Sequence, residues 1–170
     1  MAFLLRTSLL FGCIFFTVCL SPVWSAAPGS EAPAFELSTL DGESVSLREH
    51  RGRKAVLLVF WTTWCPYCKD ELLDIGEFLA GYKKEALAVL GINSGWRDSV
   101  SRTKRFQEHY GLDIPLAFDH GHEVSQRYGI RGVPTILAVD REGDVAFSGH
   151  RLSDRLSDVL DELTAPQIDP

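Results

Sequence analysis

The chain predicts an α/β domain: one central mixed sheet with helices on both faces, an N-terminal hairpin, and a strand–helix insertion near the middle. Three observations predict it. The runs Ala55-Val56-Leu57-Leu58-Val59-Phe60-Trp61 and Ala86-Leu87-Ala88-Val89-Leu90-Gly91-Ile92-Asn93 are apolar nearly throughout, the pattern of strands buried on both faces. Between them Leu72, Leu73, Ile75, Gly76, Phe78 and Leu79 fall near helical spacing with charged residues interleaved, so the unit is strand–helix–strand with a right-handed parallel crossover. Further on, Thr135–Asp140 and Asp144–Phe147 flank the turn residues Arg141-Glu142-Gly143, a hairpin that makes the far half of the sheet antiparallel.

The elements follow in order. Residues 1–26 carry one basic residue, Arg6, an apolar stretch from Leu9 to Leu20, and small residues through Ala26, the make-up of an export signal peptide cleaved after Ser25 or Ala26. The apolar stretch from Ser8 to Trp24 is also nearly long enough to serve as an N-terminal membrane anchor. Either reading places the domain in the periplasm or another extracytoplasmic space. Cys13 and Cys19 lie in this stretch, and the residues before each fit a lipid-attachment site poorly. Ala26-Ala27-Pro28-Gly29-Ser30 reads as a linker, and 31–165 as the single domain. Phe35–Ser38 and Val45–Leu47 alternate apolar and polar around Leu40-Asp41-Gly42-Glu43, a short hairpin. After the second buried strand, Asp98 and Ser99 cap a helix running to Tyr110 and closed by Gly111. Ile114–Phe118 is a short extended piece, His120–Tyr128 a short helix closed by Gly129, and Leu152–Leu163 a final helix.

The chemistry sits at Cys65-Pro66-Tyr67-Cys68, where the first buried strand gives way to the helix. Pro66 suits the first helical position, where its missing N–H costs nothing, and this leaves Cys65 as the cap. Its sulfur then faces unpaired N–H groups and the positive end of the helix dipole. Such settings bring a thiol from about 8.5 into the range of roughly 3.5–7.5, so that a thiolate exists at neutral pH. Cys68 lies one turn on, at roughly 5–6 Å, a span a disulfide bridges, and is the resolving thiol.

Composition narrows the function classes. Without the first segment only Cys65 and Cys68 remain, so the domain has no structural disulfide framework and both thiols belong to one motif. The formal charge is −6, or −7 without Arg6, which argues against nucleic acid and against an anionic membrane surface. Without the first segment the chain offers no second cysteine pair, and its five histidines are dispersed apart from His120 and His122, so no metal site is expected. The redox-active disulfide is the only reactive group, with no cofactor beside it.

Phe60-Trp61-Thr62-Thr63-Trp64-Cys65-Pro66-Tyr67-Cys68, with Gly132-Val133-Pro134-Thr135 and Asp140-Arg141-Glu142-Gly143 downstream, resembles the thioredoxin superfamily, and its exported TlpA/ResA/CcmG-like branch in particular. The resemblance covers residues 31 to 164. The signal segment, the insertion between Asn93 and Ile130, and Glu71 mark the branch. Two departures stand out: Leu73 occupies a place where the branch commonly has proline, and Val59 stands where thioredoxin buries an aspartate beneath its cysteines. The resemblance implies a thioredoxin-like fold and a cis Val133–Pro134 peptide beside the disulfide, with the backbone of Val133 pairing with a bound client strand. It implies an apolar peptide groove of Trp64, Pro66, Tyr67 and Gly149. It further implies a monomer that reduces exported cysteine-containing proteins, such as apocytochrome c or copper-site assembly proteins, and is reset by a membrane thiol donor. At i+3 from Cys68, Glu71 is either a solvated carboxylate or the base that takes the Cys68 proton. Two other readings stay open. One is a carrier that binds copper, with help from His150, or chaperones thiol clients without turnover. The other is a thiol peroxidase, suggested by Thr62-x-x-Cys65 but short of the proline expected at Leu58.

Overall fold

The computed structural model describes residues 26–166. Residues 1–25 of the predicted export segment, with Cys13 and Cys19, lie outside the described residues. Among the described residues no helix is long and apolar enough to cross a membrane.

A five-stranded mixed sheet runs in the order β5-β4-β3-β6-β7, with β3 Ala55–Trp61, β4 Leu87–Asn93, β5 Leu116–Phe118, β6 Thr135–Val139 and β7 Val145–Gly149. Strands β3, β4 and β5 are parallel, whereas β6 is antiparallel to β3 and β7 to β6. The N-terminal hairpin is β1 Glu36–Ser38 paired with β2 Ser44–Ser46. Four helices follow the predicted order: α1 Pro66–Leu79, α2 Val100–Tyr110, α3 Glu123–Arg127 and α4 Asp154–Thr164.

β3 is buried at every position, and its alternating side chains feed two separate cores. Leu57, Val59 and Trp61 point to one face, where Leu72 and Ile75 of α1 and Leu156 and Leu160 of α4 cover them. Val56, Leu58 and Phe60 point to the other, beneath Val124 of α3, Tyr128 just after it, and the incoming Phe35 and Leu47. Each of these fully buried aliphatic side chains stabilises the fold by about 1.5–3 kcal/mol. Phe106 of α2 rests on the Trp61 ring, with centroids 5.0 Å apart, and so ties the insertion to the central strand.

Three sequence expectations shift. Residues 26–30 are docked rather than a free linker: Gly29 N–H donates to the Val145 carbonyl and Val145 N–H to that of Ser30, so the chain lies against the start of β7. The expected helix over His120–Tyr128 breaks, because Gly121 and His122 adopt left-handed backbone, and only Glu123–Arg127 is α-helical. The last helix starts later than Leu152, since Ser153 is the residue whose side chain accepts the Leu156 N–H.

The topology brings six chain ends together. Parallel β3 and β4 end at the same edge, antiparallel β6 begins there, and β7 ends there, so α1 and α4 both start at that edge. Gly95, just past β4, has φ +71, and a Cβ there would stand 2.6 Å from the Asp119 carbonyl oxygen and 3.2 Å from His122 Nδ1. Gly95→Ala is therefore expected to cost about 1–3 kcal/mol, read as a lower urea midpoint with unchanged slope.

Candidate functional site

Cys65 caps α1 in extended backbone, and its sulfur accepts the Cys68 N–H at 3.2 Å, with Pro66 opening the helix. A disulfide joins Cys65 and Cys68, whose Cα atoms are 5.3 Å apart. Both residues count as buried, yet Cys65 keeps 4% of its surface exposed and Cys68 none. Cys65 is thus the sulfur a partner can reach, and only by close approach. Its Sγ lies 3.6 Å from the Val133 carbonyl oxygen, and the Val133–Pro134 peptide is cis.

Around this point the protein leaves large side chains in water. Trp64 is 50% and Tyr67 76% exposed, one on each side of the cysteine. Beyond Tyr67 a groove of about 850 Å³ continues past Glu71, Pro134, His150 and Leu152. His150 Nδ1 lies 2.9 Å from the Pro134 carbonyl oxygen, which fixes the ring along the backbone at the groove wall. Gly149, expected in the groove, does not line it; it ends β7 over the Phe147 ring, where a Cβ would meet ring carbons at 2.6 and 2.8 Å. Among the described residues no group of three or more His, Cys, Asp or Glu side chains is placed to hold a metal ion.

Glu71 sits on α1 one turn past Cys68, and its Oε1 accepts the Leu152 N–H that leads into α4. Burial pushes its carboxyl above the usual value, opposed by that hydrogen bond, reinforced by Asp74 and opposed again by Arg151. The side chain therefore joins the cysteine-bearing helix to the β7–α4 connection and lines the groove.

The insertion supplies what sequence reasoning missed. Asp98 does not cap α2; Ser99 does, accepting the Arg102 N–H. The Asp98 carboxylate instead takes the Thr63 N–H at 2.7 Å, the Thr63 hydroxyl at 2.9 Å and an Asn93 amide N–H at 2.9 Å. Burial raises its pKa, but the hydrogen bonds from Asn93, Thr63 and Ser99 outweigh burial and hold the carboxyl below its ordinary value. Its side chain is fully covered and further faced by the Arg102 guanidinium at 3.6 Å. One residue on, Trp64 Nε1 donates to the Trp96 carbonyl at 2.6 Å. Two loops thus lock together directly upstream of Cys65. The one available signal was an acidic residue just after a buried strand, and helix capping accounts for that pattern equally well.

The AhpC/TSA family model matches residues 28–148. A thiol-disulfide oxidoreductase ResA from Bacillus thuringiensis subsp. konkukian is 31% identical over 138 residues, covering 80% of this chain and 78% of the relative. The ResA protein of Geobacillus thermodenitrificans is 36% identical over 121 residues, covering 71% and 68%. Among solved structures, the thioredoxin domain of a thiol-disulfide oxidoreductase from Bacteroides vulgatus superposes with a TM-score of 0.71 at 28% identity, over 83% of this chain and all of that one. With its paired cysteines at disulfide distance on a thioredoxin-like sheet, the chain belongs to the AhpC/TSA family and is a thiol-disulfide oxidoreductase of the ResA-like kind.

Proposed function

We propose that this protein is an exported reductant of protein disulfides, with Cys65 as the attacking and Cys68 as the resolving sulfur. The observation that carries the reading is the asymmetry of the pair. Cys65 caps the helix and alone keeps exposed surface, whereas Cys68 has none. A helix N-terminus stabilises a thiolate at the first sulfur, and burial disfavours charge at the second.

In the reduced enzyme the Cys65 thiolate attacks one sulfur of a client disulfide. The client's S–S bond breaks, its departing thiolate takes a proton, and a Cys65–client disulfide forms. Cys68 then loses its proton and attacks Cys65 Sγ. The mixed disulfide breaks, the second client thiol leaves, and the enzyme holds the Cys65–Cys68 bond. Two electrons have passed to the client. A dithiol donor at the membrane restores the pair by the reverse exchange, and no cofactor is needed beyond the disulfide itself.

The client is held as an extended strand over the cis proline. The Val133 backbone lies against the reactive sulfur, and Trp64, Pro66 and Tyr67 form the surface the strand crosses. Exported cysteine-bearing proteins fit this surface, such as apocytochrome c or copper-site assembly proteins. Residues 1–26 direct the domain across the membrane, as a cleaved signal or as an anchor, and residues 31–165 act as a monomer outside the cytoplasm.

Glu71 is the acceptor of the Cys68 proton in the second step. Because burial raises its carboxyl, Glu71 turns into a competent base only as pH rises above the ordinary carboxylate value. Alkylation of Cys68 in a Cys65→Ser background should therefore climb through that titration. Glu71→Gln should remove this limb, and the two curves should meet at alkaline pH, where the thiol ionises unaided. Identical profiles at all pH values would remove Glu71 from the mechanism.

Dithiothreitol-dependent reduction of insulin, followed by turbidity, is expected to fall to the uncatalysed rate in Cys65→Ser; a carrier without turnover would show no catalysis in the wild type. Cys68→Ser should accumulate mixed disulfides with cysteine-containing exported proteins, identified by mass spectrometry after non-reducing electrophoresis. Recovery of no such client would contradict the reading.

A further inference from the structure

The rim around Cys65 is electrically divided, which the net charge of −6 conceals. On the Trp64 side two shallow clefts share Arg102. One is formed by Trp64, Trp96 and Arg97, and its neighbour includes Thr63, Arg105 and Tyr110. Glu108 is the one carboxylate lining either cleft. Asp98, the other acid nearby, is fully covered and committed to Thr63, Asn93 and Arg102. Arg102 is itself held in place, donating from Nη2 to the Arg97 carbonyl at 2.7 Å. Arg97, in left-handed backbone with φ 51, and Arg105 are both exposed, and among the described residues neither has a carboxylate within ion-pair distance. On the Tyr67 side the balance reverses. There Asp70, Glu71, Asp74 and Asp154 line the groove against Arg151 and His150.

We propose that the Trp64 side is the docking surface for the acidic flank of a client polypeptide, a segment with carboxylates a few residues to one side of the cysteine under attack. The inference rests on the proposed reduction of protein disulfides and adds a substrate preference to it. Charges more than a Debye length away, about 10 Å at 0.1 M salt, are screened, so a bound segment senses the rim beneath it and not the acidic whole. Arg97 and Arg105 offer unclaimed guanidinium groups to carboxylates, and the half-exposed Trp64 ring beside them offers a face to the adjoining chain. The same carboxylates placed on the Tyr67 side would meet Glu71, Asp74 and Asp154 against Arg151, with Asp70 ion-paired to Lys69 at 2.7 Å. A strand crossing the active site is thus sorted by which side of its cysteine carries the negative charge.

Four disulfide peptides test this, each with one cysteine linked to a neutral thiol reporter, and Glu-Glu or Lys-Lys placed either before or after that cysteine. Rates are measured with the full chain in reduced form at about 0.1 M salt, each divided by the same protein's rate with bis(2-hydroxyethyl) disulfide. In one placement the Glu-Glu peptide should outpace its Lys-Lys counterpart by about fivefold or more, and in the other placement it should not. That preference should shrink toward unity in about 0.5 M salt and in both Arg105→Glu and Arg97→Gln/Arg105→Glu. Equal ratios at both placements, a lysine preference at both, or a preference that survives high salt or the substitutions would overturn the proposal. A wild type that reduces all four peptides equally loses only this preference. One that reduces neither the peptides nor the small disulfide loses the proposed function as well.

Discussion

One contact organises this molecule: a cysteine sulfur standing in for the oxygen that ordinarily caps a helix. Cys65 Sγ accepts the Cys68 N–H at the point where β3 stops and α1 starts. A capping hydroxyl would satisfy the same N–H, but it would not ionise at neutral pH or form a reversible bond to a second sulfur. Here the helix end and the redox centre are one feature, and the fold around it serves mainly to keep that end fixed. β3 is anchored by burial on both faces, and α1 by Leu72 and Ile75 on the same core that α4 covers. Neither can shift without opening a cavity, which makes the cap geometry a property of the whole sheet.

The approach to the cap is held from the side. A thioredoxin-like core needs only strand, helix and the hairpin bearing the cis proline; this chain adds the segment between Asn93 and Ile130, which reaches back over the active edge. Asp98 binds the Thr63 backbone and hydroxyl, and the Trp96 carbonyl binds Trp64. Phe106 on Trp61 adds an apolar tie from the same insertion. The result is a Trp64 ring that is half exposed yet hydrogen-bonded at its nitrogen, so the surface a client meets is formed before the client arrives.

Much of this was legible in the sequence, for identifiable reasons. β3 announced itself because a strand covered on both sides needs an unbroken apolar run, β4 followed the same pattern although Ala88 and Val89 stay half-buried, and Pro66 after Cys65 fixed the helix start from local rules alone. What stayed hidden depends on partners far along the chain. Asp98 reads locally as a cap and acts on a residue 35 positions earlier. Leu152 looks like the first apolar residue of the last helix, yet its N–H is taken by Glu71, 81 positions away, and the helix waits for Ser153. The docking of residues 26–30 on β7 leaves no pattern at all, since it uses backbone groups that every sequence has. The low exposure of Cys65, too, follows from neighbours the motif does not contain.

The claim beneath all of this is that the helix end, through its N–H groups and dipole, makes Cys65 a thiolate when the disulfide is reduced. Absorbance at 240 nm of the reduced protein, titrated with pH, measures it directly. The account predicts one thiol ionising below the ordinary range of about 8–9, retained in Cys68→Ser and lost in Cys65→Ser. Two thiols both ionising in that ordinary range, or the low step remaining in Cys65→Ser, would contradict it.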